Sequence, residues 1–184
     1  MDLIKGWAKN VVTYELPRWD DLPDISLYLD QVLEYIHEIL NPIFIVDENK
    51  DFYLTAAMVN NYVKHKYIPA PVKKKYGKGH IAFIISITVL KQVTNLNNVS
   101  QGTRELTSIL GKEKAYDMFV LHLEKALKVI VSQLDENPDD SYLSEKVSRD
   151  LLPLKTVTLG FASKMLAEFL LANIVKNNQG EKHE

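Results

Sequence analysis

The sequence predicts an almost entirely α-helical chain. Apolar residues recur at spacings of three and four over most of the 184 positions, Pro and Gly fall between those stretches, and strand-like alternation is sparse. Leu3, Ile4, Trp7, Ala8, Val11 and Val12 form a short amphipathic helix that stops before Pro17, followed by the Pro- and Asp-rich linker YELPRWDDLPD. Asp24 or Ser26 can cap a second helix running to about Leu40, with Leu29, Val32, Leu33, Ile36, Ile39 and Leu40 on its apolar face. Pro42 prevents its continuation. Ile43–Val46 suits a short extended piece, and DENKD a polar turn.

Thr55 is a good N-cap for a helix over roughly 56–65, with Met58, Val59, Tyr62 and Val63 inward and Asn60, Asn61, Lys64 and His65 elsewhere. Pro69 and Pro71 forbid helix through KYIPAPVKKKYGKG, which reads as a loop or small hairpin. A helix over about 80–94 buries Ile81, Ile84, Ile85, Ile87, Val89 and Leu90. Another spans 98–110, with Gly111 as its C-terminal stop. A long helix over 112–134 carries Ala115, Met118, Phe119, His122, Leu123, Leu127 and Ile130 on one side. After the acidic loop DENPDDSY, Pro153 ends a short helix and residues 156–176 form the last one. That last helix is apolar over most of its circumference apart from a strip through Lys164 and Glu168, so it is either central in a bundle or one side of a dimer interface.

Composition narrows the chemistry. With no Cys, disulfides, thiolate-ligated zinc, iron–sulfur clusters and thiol nucleophiles are excluded. The first twelve residues include an acid at position 2 and lack a long apolar core, so no targeting signal is expected. The most apolar run, 157–175, has Lys164, Glu168 and Asn173 in its middle, which argues against a membrane span and for a cytoplasmic protein.

The formal net charge of −2 conceals a strong segregation. Residues 1–51 carry −7, residues 52–104 carry +8, and the remainder carries −3. No Asp or Glu occurs between Asp51 and Glu105, a stretch that holds Lys64, Lys66, Lys73, Lys74, Lys75, Lys78, Lys91 and Arg104 with His65 and His80. The bland account is a solvated face that aids solubility. The reading preferred here is a surface for a polyanion, because mutually repelling lysines are kept without nearby acids to offset them.

Within that block, a capped short helix is followed by a Pro-bounded basic tip and then another helix. A short helix bearing Asn and Lys can enter a major groove about 12 Å wide, where Asn suits adenine and Lys suits phosphate or guanine. The tip Lys73-Lys74-Lys75 can straddle the adjoining backbone, with Tyr76 at its base. The segment LTAAMVNNYVKHKYIPAPVKKKYGKGHIAFIISITVLKQV resembles the winged helix-turn-helix of the MerR family. The resemblance implies that residues 58–62 lie on a recognition helix, that Tyr67, Ile68 and Pro71 enter a wing, and that Lys75 and Tyr76 sit at its tip. The sequence departs from the family at Asn60, where an Arg is usual, and at Lys66, where a Gly precedes the wing. WDDLPDISLYLDQVLEYI, LTAAMVNNYVK and PVKKKYGKGHIAFIISITVLKQV together look like a bacterial family, domain of unknown function 1836. In that family the helix with Leu27, Tyr28, Asp30 and Gln31 would pack behind the recognition helix; Tyr28 and Gln31 are read as packing and surface hydrogen bonding.

These readings divide the chain into an N-terminal helix and linker (1–23), a winged helix-turn-helix (24–110) and a C-terminal helical domain for dimerisation or effector binding (111–184). The expected function is sequence-specific double-stranded DNA binding by a transcriptional regulator, as a homodimer. Its contacts are expected from Thr55, Asn60, Asn61, Lys64, His65, Lys66, Lys73, Lys74, Lys75, Tyr76 and Lys78. The alternative is an adaptor that docks an acidic protein. No cofactor, metal or catalytic set is expected. Asp47, Asn49 and Asp51 have calcium-loop spacing but are followed by Phe52 and Met58 where Gly and Glu belong, and the acidic loop from Asp135 fails in the same way. The His residues lack metal-ligand spacing, and YGKGH is not a phosphate loop. His122 on an apolar face reads as a satisfied, semi-buried histidine. Phe119, Leu123, Phe161, Met165 and Phe169 read as core rather than as an effector pocket.

Overall fold

The computed structural model describes residues 2–44 and 53–180, with side chains for 4–44 and 53–173. The Ile43–Val46 and calcium-loop expectations therefore fall mostly outside the described residues. The elements are α1 (Asp2–Thr13), a 3₁₀ turn (Trp19–Asp21), α2 (Leu29–Leu40), α3 (Ala56–Lys64), α4 (Lys78–Leu90), α5 (Leu96–Leu110), α6 (Lys112–Val131), a 3₁₀ turn (Ser132–Leu134), α7 (Ser141–Ser144) and α8 (Leu152–Gly180). Extended pairing among the described residues is limited to two isolated bridges, Leu27 with Tyr76 and Val72 with Lys75. The all-α expectation holds.

α6 is the hub. It packs against α8, α5, α1, α4 and α7, and one core runs from Val11 to Met165. Its acidic side chains also hold the linker after α1. Glu124 accepts from the Leu16 N–H and pairs with Arg18 at 2.6 Å, Asp117 accepts from the Trp19 N–H at 2.8 Å, and the Tyr116 hydroxyl donates to the Pro17 carbonyl. α4 is buried almost all round, including Ser86 and Thr88. Both satisfy their hydroxyls on the carbonyl four residues back, Ala82 and Ile84 respectively, so the hydroxyls need no outside partner.

Helix boundaries differ from expectation at the start of α2, at Pro153 and between α4 and α5. α2 begins at Leu29, not beside Asp24 or Ser26, because Leu27 is committed to exchanging backbone hydrogen bonds with Tyr76 at 3.0 and 2.8 Å. Pro153 does not end a helix. It sits in the first turn of the continuous α8, where its missing N–H has no intrahelical role. α4 stops at Leu90 and α5 starts at Leu96, the Asn95 side chain capping it by accepting from the Asn98 N–H at 3.0 Å.

Gly111, with φ +82°, joins α5 to α6 in a conformation other residues rarely adopt. At Gly160 a Cβ would lie 2.9 Å from a Val93 methyl, so a side chain there requires Val93 to shift. Leu123, Phe161 and Met165 are core, and Phe169 stacks on Trp7 at 4.2 Å. His122 is buried with its Nδ1 2.6 Å from the Tyr142 hydroxyl. No helix among the described residues is long and apolar enough to cross a membrane.

Candidate nucleic-acid interface

α3 is a nine-residue helix whose start is fixed by Thr55, the side chain of which accepts from the Met58 N–H at 3.3 Å. Helical spacing then buries Val59 and Tyr62 and leaves Asn60, Asn61 and Lys64 exposed. Beneath it lies a node that charge counting could not reveal. Lys91 Nζ donates to the Tyr53 carbonyl at 2.9 Å and the Tyr62 hydroxyl at 3.0 Å, and lies 3.3 Å from Met58 Sδ. Burial lowers the Lys91 pKa and pushes the Tyr62 hydroxyl up to about 12. Lys91 thus belongs to the basic block by sequence and to the interior by structure.

The exit from α3 is a Schellman motif. The Tyr67 N–H bonds the Tyr62 carbonyl and the Lys66 N–H bonds the Val63 carbonyl, with Lys66 left-handed at φ 58° where Gly usually sits. The Arg104 guanidinium donates to the Lys66 carbonyl, and the Tyr67 hydroxyl donates to Asn97 Oδ1 at 2.9 Å, tying this exit to α5. Past Pro69 and Pro71, Val72 and Lys75 exchange both backbone hydrogen bonds around a two-residue turn. Its members, Lys73 and Lys74, have φ 50° and 64°. Such turns favour Asn-Gly because both positions are left-handed.

Lys66, Lys73 and Lys74 are the non-Gly residues with positive φ among those described. Each left-handed conformation costs an L-residue about 1–2 kcal/mol. Three lysines of the acid-free block therefore occupy backbone positions where Gly or Asn would be easier, and all three side chains are exposed.

The remaining sequence-predicted site residues are placed as follows. His65 is exposed at the end of α3, its ring 6.1 Å from that of Tyr67. Lys75 is exposed and stands 4.9 Å over the Tyr28 ring, while the Tyr28 N–H is taken by Gln31 Oε1 at 3.0 Å. Lys78 pairs with Asp24 at 2.5 Å. Lys64, Lys66 and Lys78 share the lining of one cleft, and Lys73, Lys74 and Lys75 stand apart from it on the turn. One residue needs correction as a contact residue. Tyr76 is only 3% exposed and paired through its backbone to Leu27, so it braces the turn from inside and cannot reach a phosphate. Thr55 is half-buried, and its hydroxyl accepts from the Met58 N–H while its own hydrogen remains available to donate. Among the described residues, Lys64, Lys66, Lys73 and Lys74 carry no ion pair, and no group of three or more His, Cys, Asp or Glu side chains could hold a metal ion.

Comparison with known families matches the chain over residues 17–126 to the family described as domain of unknown function (DUF1836). The match covers more than half of the chain and spans the linker, α2 to α5 and most of α6. No curated protein and no solved structure matches the chain. The chain belongs to the DUF1836 family.

Proposed function

We propose that this DUF1836 protein is a cytoplasmic, non-enzymatic regulator of transcription that grips duplex DNA through a MerR-like winged helix-turn-helix. α3 would lie in the major groove, with Asn60, Asn61 and Lys64 toward the bases. Lys73, Lys74 and Lys75 would reach the neighbouring phosphates from the turn, with Lys66 and His65 beside them. A homodimer reading two half-sites suits this mode, as it does helix-turn-helix proteins in general.

One observation carries the reading. Lys64, Lys66, Lys73 and Lys74 of the acid-free block project from α3, its exit and a strained two-residue turn without an ion pair. Solubility alone gives no reason to hold lysine at positions where Gly or Asn is easier. Contact with a polyanion gives one, since phosphate neutralisation supplies most of the affinity for duplex.

A gel-shift titration on random genomic duplex tests it. If about five lysines neutralise phosphates, log K falls against log salt with a slope of roughly −4 to −5, and replacing Lys73, Lys74 and Lys75 by Ala reduces the slope by roughly 3. No retention at low salt, or retention indifferent to the triple substitution, overturns the proposal.

A second reading has its own support. Ile25 and Val72 are each 72% exposed and Tyr28 is 50% exposed, near or on the segments that form the turn. An apolar and cationic surface of that kind suits an acidic protein partner, which would make the domain an adaptor. Failure on duplex together with saturable binding of an acidic amphipathic peptide, lost on Val72→Asp, selects it.

A further inference from the structure

α5 carries an apolar stripe that its neighbours do not cover. Of its fifteen residues only Val99 and Ser100 are buried, whereas Leu106 and Leu110 are half-exposed and Ile109 is 51% exposed. Beside it opens a cleft of about 1390 Å³ bounded by the 63–70 segment, α4, α5, the start of α6 and the start of α8. Its walls include Phe83, Val99, Leu106, Ile109, Phe119 and Val157. Its charged residues are unbalanced: Lys64, Lys66, Lys78, Arg104, Lys112 and Arg149 against Glu105 and Asp150.

We propose that this cleft binds an amphipathic small-molecule carboxylate, a free long-chain fatty acid, with its acyl chain along the exposed stripe of α5 and its headgroup at the cationic margin near Lys112 and Arg149. Lining and charge choose this occupant. At about 1390 Å³ the cleft has room for an extended acyl chain. The walls are mainly apolar, so the chain gains by leaving water. With Lys78 already paired to Asp24, five cations remain against two anions, an excess that repels a cationic amphiphile and attracts an anionic one. Arg104, which holds the Lys66 carbonyl, lines the same cleft, so the site abuts the end of α3. The binding itself stands whether or not the protein binds DNA.

Trp19 lines the cleft and Trp7 does not, so Trp7→Phe leaves one tryptophan as a reporter at the site. The full chain carrying that substitution is titrated, without nucleic acid, with sodium dodecanoate, dodecyltrimethylammonium bromide and sodium acetate below their aggregation concentrations. Dodecanoate is expected to change Trp19 emission saturably and to bind about tenfold or more tightly than the ammonium of equal chain length, with no response to acetate. Ile109→Asp, a change at a half-exposed residue, should weaken dodecanoate about tenfold. Lys112→Glu with Arg149→Glu should abolish the preference for the anion, with circular dichroism unchanged for both variants. Absence of a saturable response, equal affinity for the two amphiphiles, or indifference to Ile109→Asp overturns the site. Co-sedimentation with phosphatidylglycerol vesicles in the absence of a dodecanoate response assigns the cleft to membrane lipid instead and also overturns it.

Discussion

Four lysines around α3 and three packed near α8 face opposite circumstances. Near α8, Lys155 is buried and donates to the Leu143 and Glu145 carbonyls, Lys125 pairs with Glu145 at 2.8 Å, and both ammonium groups stand over the Tyr142 ring. Lys164 pairs with Glu168 one turn along. Every one of these charges has a partner within its own third of the chain. Around α3, Lys64, Lys66, Lys73 and Lys74 have no ion pair, and the backbone bears a conformational cost to present three of them. The number of lysines does not separate the two regions; the availability of carboxylates and carbonyls does. The fold itself does not account for a charge without an ion pair on left-handed backbone, whereas a partnered charge is part of the architecture.

Lys91 tests this distinction from inside the basic block, and its removal should have the largest effect on stability. Its ammonium is held by the Tyr53 carbonyl and the Tyr62 hydroxyl beneath α3. Lys91→Ala deletes two charge-assisted hydrogen bonds, each class of contact being worth about 1.5–3 kcal/mol. A loss of about 2–3 kcal/mol is expected in urea unfolding. Lys73→Ala should leave the urea midpoint nearly unchanged. Equal effects from the two substitutions would erase the division between structural and presented lysines.

The turn gives an effect of opposite sign. Replacing Lys73 by Asn and Lys74 by Gly installs the residues that left-handed hairpin positions favour. Relief of about 1–2 kcal/mol per strained position is partly cancelled by the greater freedom of Gly in the unfolded chain, leaving a net gain of about 1 kcal/mol. The same variant should bind duplex DNA more weakly, with a shallower salt slope. A protein made more stable and less able to bind shows that strain is maintained for contact; loss of stability would show that the lysine side chains support the fold.

The parts legible in the sequence are those set by local rules. Thr55 as a cap, Gly111 as a joint, the α3 register and the apolar pattern of α4 depend on residues within about one turn of each other. The illegible parts are long-range. Nothing near Leu27 in sequence announces its pairing with Tyr76, so local rules alone start α2 too early. Lys91 finds Tyr53 across 38 positions, and so looked like one more surface cation. The left-handed Lys66 was half-visible, because a Gly was expected there, but its persistence as lysine had meaning only once φ was known. The cleft beside α5 requires five separate segments to be assembled before it exists at all.

The α6–α8 side offers the subtlest expected effect, one of pH. His122 is buried among Tyr142, Lys125, Lys155 and Glu145. Burial lowers its pKa first, Lys125 and Lys155 lower it further, and Glu145 opposes them. The folded protein therefore holds this imidazole neutral in a range where the unfolded chain, with an ordinary value of about 6.5, already takes up a proton. Because the unfolded state binds more protons, the contribution of His122 is complete above about pH 6.5 and is lost as pH falls below it. His122→Gln keeps a polar partner for the Tyr142 hydroxyl but cannot titrate. Between pH 7 and pH 5 its unfolding free energy should fall less steeply than that of the natural chain, whatever its value at pH 7. Parallel curves would mean that His122 is protonated as readily in the fold as outside it, and that the partnered side is as open to solvent ions as the presented lysines are.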